Sequence, residues 1–200
     1  MKKALIILIV LTLLFTAFGV TLVKKKDFYR QMRERFATLG KEMALRVTVT
    51  DDGESLKSTY TVEHSDTQVN VAYSFEEYAQ FEWQNGAYVV PENRLCEQTG
   101  SFVLKNGELT ALQGKEPPLD VQLITLSTFD FREECFDNAV IKQKSFEADV
   151  VDPMQLFGLL TVCSDMRISL TFDEVHVTQM VLTYNVASGE SVTMNFTFTY

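Results

Sequence analysis

The sequence predicts an α+β domain built mainly of antiparallel β-structure, preceded by one membrane-spanning helix. Three observations lead there. Period-2 alternation recurs along the chain and is cleanest at its end, where Val192, Met194, Phe196, Phe198 and Tyr200 alternate with Thr193, Asn195, Thr197 and Thr199. The alternating runs are punctuated by Asp52-Gly53, Asn85-Gly86 and Asn106-Gly107, dipeptides that close two-residue hairpins because both positions accept positive φ. Finally, Ala4 to Val23 is a run of twenty residues without a charge, the length a helix needs to cross a hydrocarbon core.

In chain order, residues 1–26 form the anchor or signal segment and residues 27–200 a single β-rich domain. The apolar run lies between Lys2-Lys3 and Lys24-Lys25-Lys26. Its unbroken length argues for a retained anchor; the alternative is a cleaved signal peptide, with Ala17 and Gly19 spaced as a signal peptidase requires. No cysteine lies in or just after the segment, so a lipobox is excluded. The basic count after the span favours a cytoplasmic domain, but the short Met-Lys-Lys start has the form of an export signal, and the expectation is a cell-membrane protein with its domain outside. From Asp27 onward 13 basic residues face 27 acidic ones, a net −14. A domain so charged is repelled by nucleic acid and by anionic headgroups.

Asp27 to Leu45 reads as an amphipathic helix with Phe28, Met32, Phe36, Leu39 and Met43 on one stripe and Arg30, Arg33, Glu34, Arg35 and Lys41 opposite. Packing of that stripe on the sheet is preferred to docking on a membrane surface. Hairpins follow. A two-residue turn at Asp52-Gly53 places Val49 opposite Leu56 and Leu45 opposite Tyr60. Val69 to Phe75 is the next strand; Asn85-Gly86 pairs Trp83 with Tyr88 and Phe81 with Val90; Asn106-Gly107 pairs Leu104 with Leu109 and Phe102 with Ala111. Each choice puts large apolar residues on one common face. Lys115 to Leu119, with Pro117-Pro118, is a loop, and Phe129 to Val151 holds two strands turning near Asp137-Asn138. Asp152-Pro153 starts a helix, an N-cap carboxylate followed by proline at the first position, and its apolar body, Met154 to Val162, is expected to be buried. The last part is a three-stranded meander. A tight turn at Asp173-Glu174 pairs Phe172 with Val175 and Leu170 with Val177. A parity switch predicts a β-bulge near Gln179. A three-residue loop at Ala187 to Gly189 pairs Tyr184 with Val192, Leu182 with Met194 and Met180 with Phe196.

Signals for catalysis are thin. The chain has two histidines; Glu174 with His176, and His64 with Asp66, could each offer two metal ligands, and two ligands without a third are ordinary strand residues. A Cys163–His176 nucleophile pair is disfavoured because Cys163 closes an apolar helix. There is no phosphate-binding glycine loop, GxSxG elbow or HExxH motif, and the Asn195-Phe196-Thr197 sequon lies within a strand. An enzyme is not expected, nor a metal or other cofactor. Cys96, Cys135 and Cys163 show no CxxC spacing, leaving open a Cys96–Cys135 bridge or three small core residues.

A signal-like start, an amphipathic helix, a long antiparallel sheet, one Asp-Pro helix and a final meander resemble the lipoprotein carriers of the LolA type and the LprG and LppX-like lipoproteins. The resemblance is carried by Asp152-Pro153 through Tyr200, in particular Met180-Val181-Leu182-Thr183-Tyr184 and Ser188-Gly189-Glu190-Ser191-Val192-Thr193-Met194. It implies a curved half-barrel sheet covered by helices, with an acyl chain held between them. Phe157 and Leu160 on the helix and Leu182, Met194 and Phe196 on the meander are then the expected apolar lining. Two readings follow: a membrane-tethered extracytoplasmic module that binds a lipid or other apolar ligand, or a non-catalytic structural or protein-interaction domain at the cell surface with a closed core.

Overall fold

The computed structural model describes residues 25–39, 46–52, 57–65, 67–78, 82–89, 95–158, 163–186, 189 and 191–200. The helix α1 spans residues 25–38. Among the described residues twelve strands follow: β1 (Arg46–Asp52), β2 (Lys57–His64), β3 (Gln68–Tyr78), β4 (Glu82–Gln84), β5 (Ala87–Val89), β6 (Leu95–Lys105), β7 (Glu108–Gly114), β8 (Phe136–Ile141), β9 (Ser145–Val150), β10 (Cys163–Phe172), β11 (Val177–Val186) and β12 (Ser191–Thr199). The short helices α2 (Val121–Thr125) and α3 (Pro153–Phe157) and a 3-10 turn at Glu133–Cys135 interrupt them. Ten strands form one open antiparallel sheet in the order β7-β6-β3-β2-β1-β12-β11-β10-β9-β8, and β4 and β5 pair as a separate hairpin. The domain is thus mainly antiparallel β, as expected, with β1 and β12 adjacent at its centre. No described helix is long and apolar enough to cross a membrane, and residues 4–23, where the anchor is expected, lie outside the described residues.

One face of the sheet is apolar on β6, β3 and β2 and again on β12, β11, β10 and β9. Tyr60 and Val62 on β2, Val71, Tyr73 and Phe75 on β3, Phe146 on β9 and Ile168 and Leu170 on β10 are buried on it, and they join Met180, Leu182, Met194 and Phe196 in one contiguous core. The stripe of α1 closes this face from the β8–β10 side: Tyr29, Met32, Phe36 and Leu39 are buried, and Phe28 lies 5.4 Å from the Phe146 ring and 5.8 Å from Phe172. Burial of the stripe removes it from any membrane surface. Polar contacts aim the helix: Lys25 pairs with Glu133 at 2.9 Å, Arg33 with Asp130 at 2.9 Å, and Arg35 donates to the carbonyls of Asp173 and Glu174. Met43, the last stripe position, is outside the described residues.

The turns show where local chemistry decides and where neighbours do. Asn85-Gly86 and Asn106-Gly107 both adopt positive φ at both residues, and Trp83 pairs with Tyr88 and Leu104 with Leu109 as expected. The C-terminal hairpin keeps its predicted register throughout, with Gly189 left-handed and its N–H donating to the Val186 carbonyl at 2.8 Å. The expected pairing of Phe102 with Ala111 gives way to Phe102 with Leu112, and three other expectations change. Val49 pairs with Tyr60 rather than Leu56, leaving residues 53–56 as the connection, because β2 is registered against β3 as well, Tyr60 on Tyr73 and Val62 on Val71. Asp137-Asn138 is a bulge within β8 rather than a turn; Asn138 tolerates a left-handed conformation and donates to Asp149 at 2.7 Å, and the chain reverses at residues 142–144. At Asp173 the turn is wider than two residues. The Asp173 carboxylate accepts from the N–H groups of Val175 and His176, so Phe172 faces Val177, Leu170 faces Met180, and Val175 is left 62% exposed. Those same N–H groups, His176 first, hold the Asp173 carboxyl below its usual pKa. The bulge expected near Gln179 falls at Thr178, whose hydroxyl donates to the Thr171 carbonyl.

The α3 helix begins as predicted, with the Asp152 carboxylate accepting from the Gln155 N–H at 2.9 Å and Pro153 in the first turn. It stops at Phe157, not Val162, because Gly158 takes φ +73° and caps it. Of its apolar residues Leu156 and Phe157 are buried, whereas Met154 is exposed. Asp152→Ala is expected to lower stability by about 1 kcal/mol through loss of this cap, read from urea-unfolding midpoints; an unchanged midpoint would mean that α3 is held by packing alone.

A candidate apolar site at the sheet edge

Along the strand β7 the apolar face of the sheet is left uncovered. In a regular hairpin Leu109 and Ala111 would share the face of Leu104 and Phe102. Instead the ladder shifts: Leu104 faces Leu109 and Phe102 faces Leu112, with Thr110 as the extra residue and its hydroxyl donating to the Val103 carbonyl at 3.1 Å. The bulge thereby turns a second leucine, Leu112, toward the buried side. Every residue of β7 remains exposed, Leu109 at 53% and Leu112 at 39%. Phe102 and Leu104 on the neighbouring strand are buried.

Opposite this strip runs the segment 115–122 that leads into α2. Two contacts hold it over the sheet. The Tyr73 hydroxyl donates to the Lys115 carbonyl, and Lys115 Nζ lies 5.9 Å from the centre of the Phe75 ring. Tyr73 reaches so far because its cross-strand partner is Gly100; a Cβ there would collide with the Tyr73 ring and hydroxyl. Burial, and secondarily the Glu116 carboxylate, raises the Tyr73 pKa, keeping the phenol protonated as the donor. Farther along, Asp120 accepts from the Gln122 N–H at 2.7 Å and so starts α2, which packs against β2. Between strip and segment lies an open groove of about 440 Å³, walled by Phe102, Leu104, Leu109, Leu112, Leu119 and Val121, with Glu116, Asp120 and Gln122 among its polar contributors. That volume falls in the range of roughly 300 to 1,000 Å³ that small-ligand sites occupy. Sequence reasoning placed Leu104 and Leu109 correctly but not the groove, since the inward turn of Leu112 depends on a bulge that the alternation of β7 does not announce.

The residues expected to line a ligand space lie elsewhere. Leu182, Met194 and Phe196 come together as predicted, Leu182 opposite Met194 and Phe196 opposite Met180, and all are completely buried. The Tyr184 hydroxyl donates to the Met194 sulfur at 3.6 Å. Phe157 is buried against Phe129, with ring centres 5.2 Å apart, in the aromatic part of the core. Leu160 is outside the described residues. Phe157, Leu182, Met194 and Phe196 do not border the edge groove.

The thiols and histidines offer little reactivity. Cys135 is a free thiol, so the bridge to Cys96 is not formed, and burial, then the Glu134 charge, pushes its pKa up to about 11. Burial also raises that of Cys163. Cys163 faces Val186 whereas His176 precedes Val177 at the other end of the same strand pair, on the order of 30 Å away at the rise of a β-strand. His176 stacks on Tyr200, ring centres 4.0 Å apart. Among the described residues no group of three His, Cys, Asp or Glu side chains could hold a metal ion; Asp66, the suggested partner of His64, is outside them. His64 itself is buried near the turn between β2 and β3, its Nδ1 has no hydrogen-bond partner, and burial alone lowers its pKa.

No family model matches the chain, and the comparison with curated proteins finds no match. Among solved structures the chain is similar to a redesigned β barrel bound to DFHBI, at 11% identity over 82% of this chain and 98% of that one, with a TM-score of 0.21.

Proposed function

We propose that this protein is a non-catalytic, membrane-tethered module on the extracytoplasmic side that holds a lipid or another apolar ligand against a half-barrel sheet. The observation that carries this reading is the edge groove: an apolar strip, extended to Leu112 by a bulge and left uncovered, facing a segment pinned at a fixed distance. A contiguous uncovered apolar strip of this kind marks a surface that contacts a ligand or partner. The tether rests on the charge-free residues 4–23, and the extracytoplasmic side on the export-like start of the chain. The ligand site thus moves from beneath α3 to the sheet edge. A second reading, a structural or protein-interaction domain with a closed core, draws support from the complete burial of Leu182, Met194 and Phe196. On that reading the groove holds no ligand.

Native mass spectrometry of the full chain, released from detergent micelles, tests this. A co-purifying lipid adduct is expected on the wild type. Leu109→Asp should remove it while changing stability by no more than about 0.5 kcal/mol, because the side chain is already half in water. A wild type without adduct would favour the closed-core reading, and an adduct equally present on Leu109→Asp would move the ligand out of the groove.

A further inference from the structure

On the buried face, successive strands place residues in transverse rows. One row runs from the groove inward: Leu109 on β7 faces Leu104 on β6, which faces Val69 on β3, which faces His64 on β2. Strands lie about 4.8 Å apart, so His64 stands ~10 Å inward of Leu104 along a row with no other residue between them but Val69. Leu104 is the last residue of the row to wall the groove; Val69, which is only partly buried, and His64 lie beyond it, so the row continues the apolar wall of the groove inward to the histidine. The α2 helix, whose first residues form a wall of the groove, packs against β2, the strand that carries His64.

A buried polar atom without a partner costs free energy and calls for an explanation. His64 is only 9% exposed, and its Nδ1 is buried without a hydrogen-bond partner at the inner end of an apolar row. We propose, resting on the ligand-binding reading above, that His64 is the polar anchor of that ligand and hydrogen-bonds the uncharged end group of an amphiphile whose hydrocarbon runs outward along the groove. The end group is a hydroxyl, ester or amide rather than a carboxylate or phosphate. Burial keeps the imidazole neutral, so it offers one N–H donor and one acceptor and no compensating charge. An anion there would meet a neutral imidazole and not a cation, inside a domain that already carries 27 acidic against 13 basic residues.

Photolabelling tests this on the full chain in phosphatidylcholine vesicles, using three probes of equal chain length with a diazirine in the acyl chain: a monoacylglycerol, a fatty acid and a plain alkane. The wild type is expected to be labelled within residues 102–122, best by the monoacylglycerol at neutral pH. His64→Leu should lower the apparent affinity for that probe about tenfold, the scale of one hydrogen bond in a dry site, and leave alkane labelling unchanged. His64→Gln, which keeps a donor and an acceptor, should recover most of the difference. In addition His64→Leu should melt no lower than wild type without probe, because it removes an unsatisfied buried group. Monoacylglycerol labelling that His64→Leu leaves intact overturns the anchor while the groove stands. Labelling by the fatty acid equal to that by the monoacylglycerol overturns the choice of an uncharged end. A wild type unlabelled at 102–122 by every probe refutes the ligand-binding reading itself.

Discussion

Phe131→Ala is expected to lower the stability of the domain by about 3 to 5 kcal/mol, the range for deleting a fully buried aromatic ring. Phe131 lies in the irregular segment between α2 and β8 and is only 1% exposed. Its ring is 4.7 Å from Phe136 on β8, 5.2 Å from Phe146 on β9, and 5.7 and 5.8 Å from Tyr29 and Phe36 on α1. Loss of the ring therefore leaves a void bordered by three elements at once, while the ion pairs Lys25–Glu133 and Arg33–Asp130 hold α1 to the segment that carries the ring. Chemical denaturation with circular dichroism measures the effect. A loss below about 1 kcal/mol would mean that α1 is held by its polar contacts and not by this aromatic cluster.

Phe196→Ala should cost a similar amount, about 3 to 5 kcal/mol, and its consequence for binding matters more. Phe196 lies in β12 at the centre of the sheet, between Val49 on β1 and Met180 on β11, and is completely buried. If the ligand sits at the sheet edge, the variant should bind the probes as wild type does under conditions where it remains folded. If Phe196 lines an acyl cavity, truncation should cost far less stability, because a void already borders the ring, and probe affinity should change instead. Paired melting and labelling of the one variant separate the two, and a stable variant with altered probe affinity would return the site to the meander.

How far residues could be read in advance depended on the range of the interactions that place them. Asn106-Gly107 needs positive φ at two successive positions, and Asp152-Pro153 satisfies a helix start within four residues, so both were legible. The register of the C-terminal hairpin was legible for the same reason, since Gly189 and the alternation on both sides agree. Gly158 as the end of α3 was equally local, but the apolar residues after it read as a continued helix. Val49 opposite Tyr60 was not legible, because β2 answers to two neighbours and only one lies across the turn.

By itself, then, the sequence determined the alternating strands, the faces that alternate with them, the Asn-Gly turns, the cap of α3 and the stripe of α1. Each of these is encoded within about seven residues, where backbone sterics and a period of 2 or 3.6 leave few choices. Only the tertiary structure decided which apolar surface is covered. Leu112 reaches the groove through a bulge set by the ladder with β6, the segment 115–122 is held by a tyrosine forty-two residues upstream lying over Gly100, and His64 meets that row through two intervening strands. Burial is a property of pairs of elements distant in sequence, and a period within one strand carries no record of what the other strands leave open.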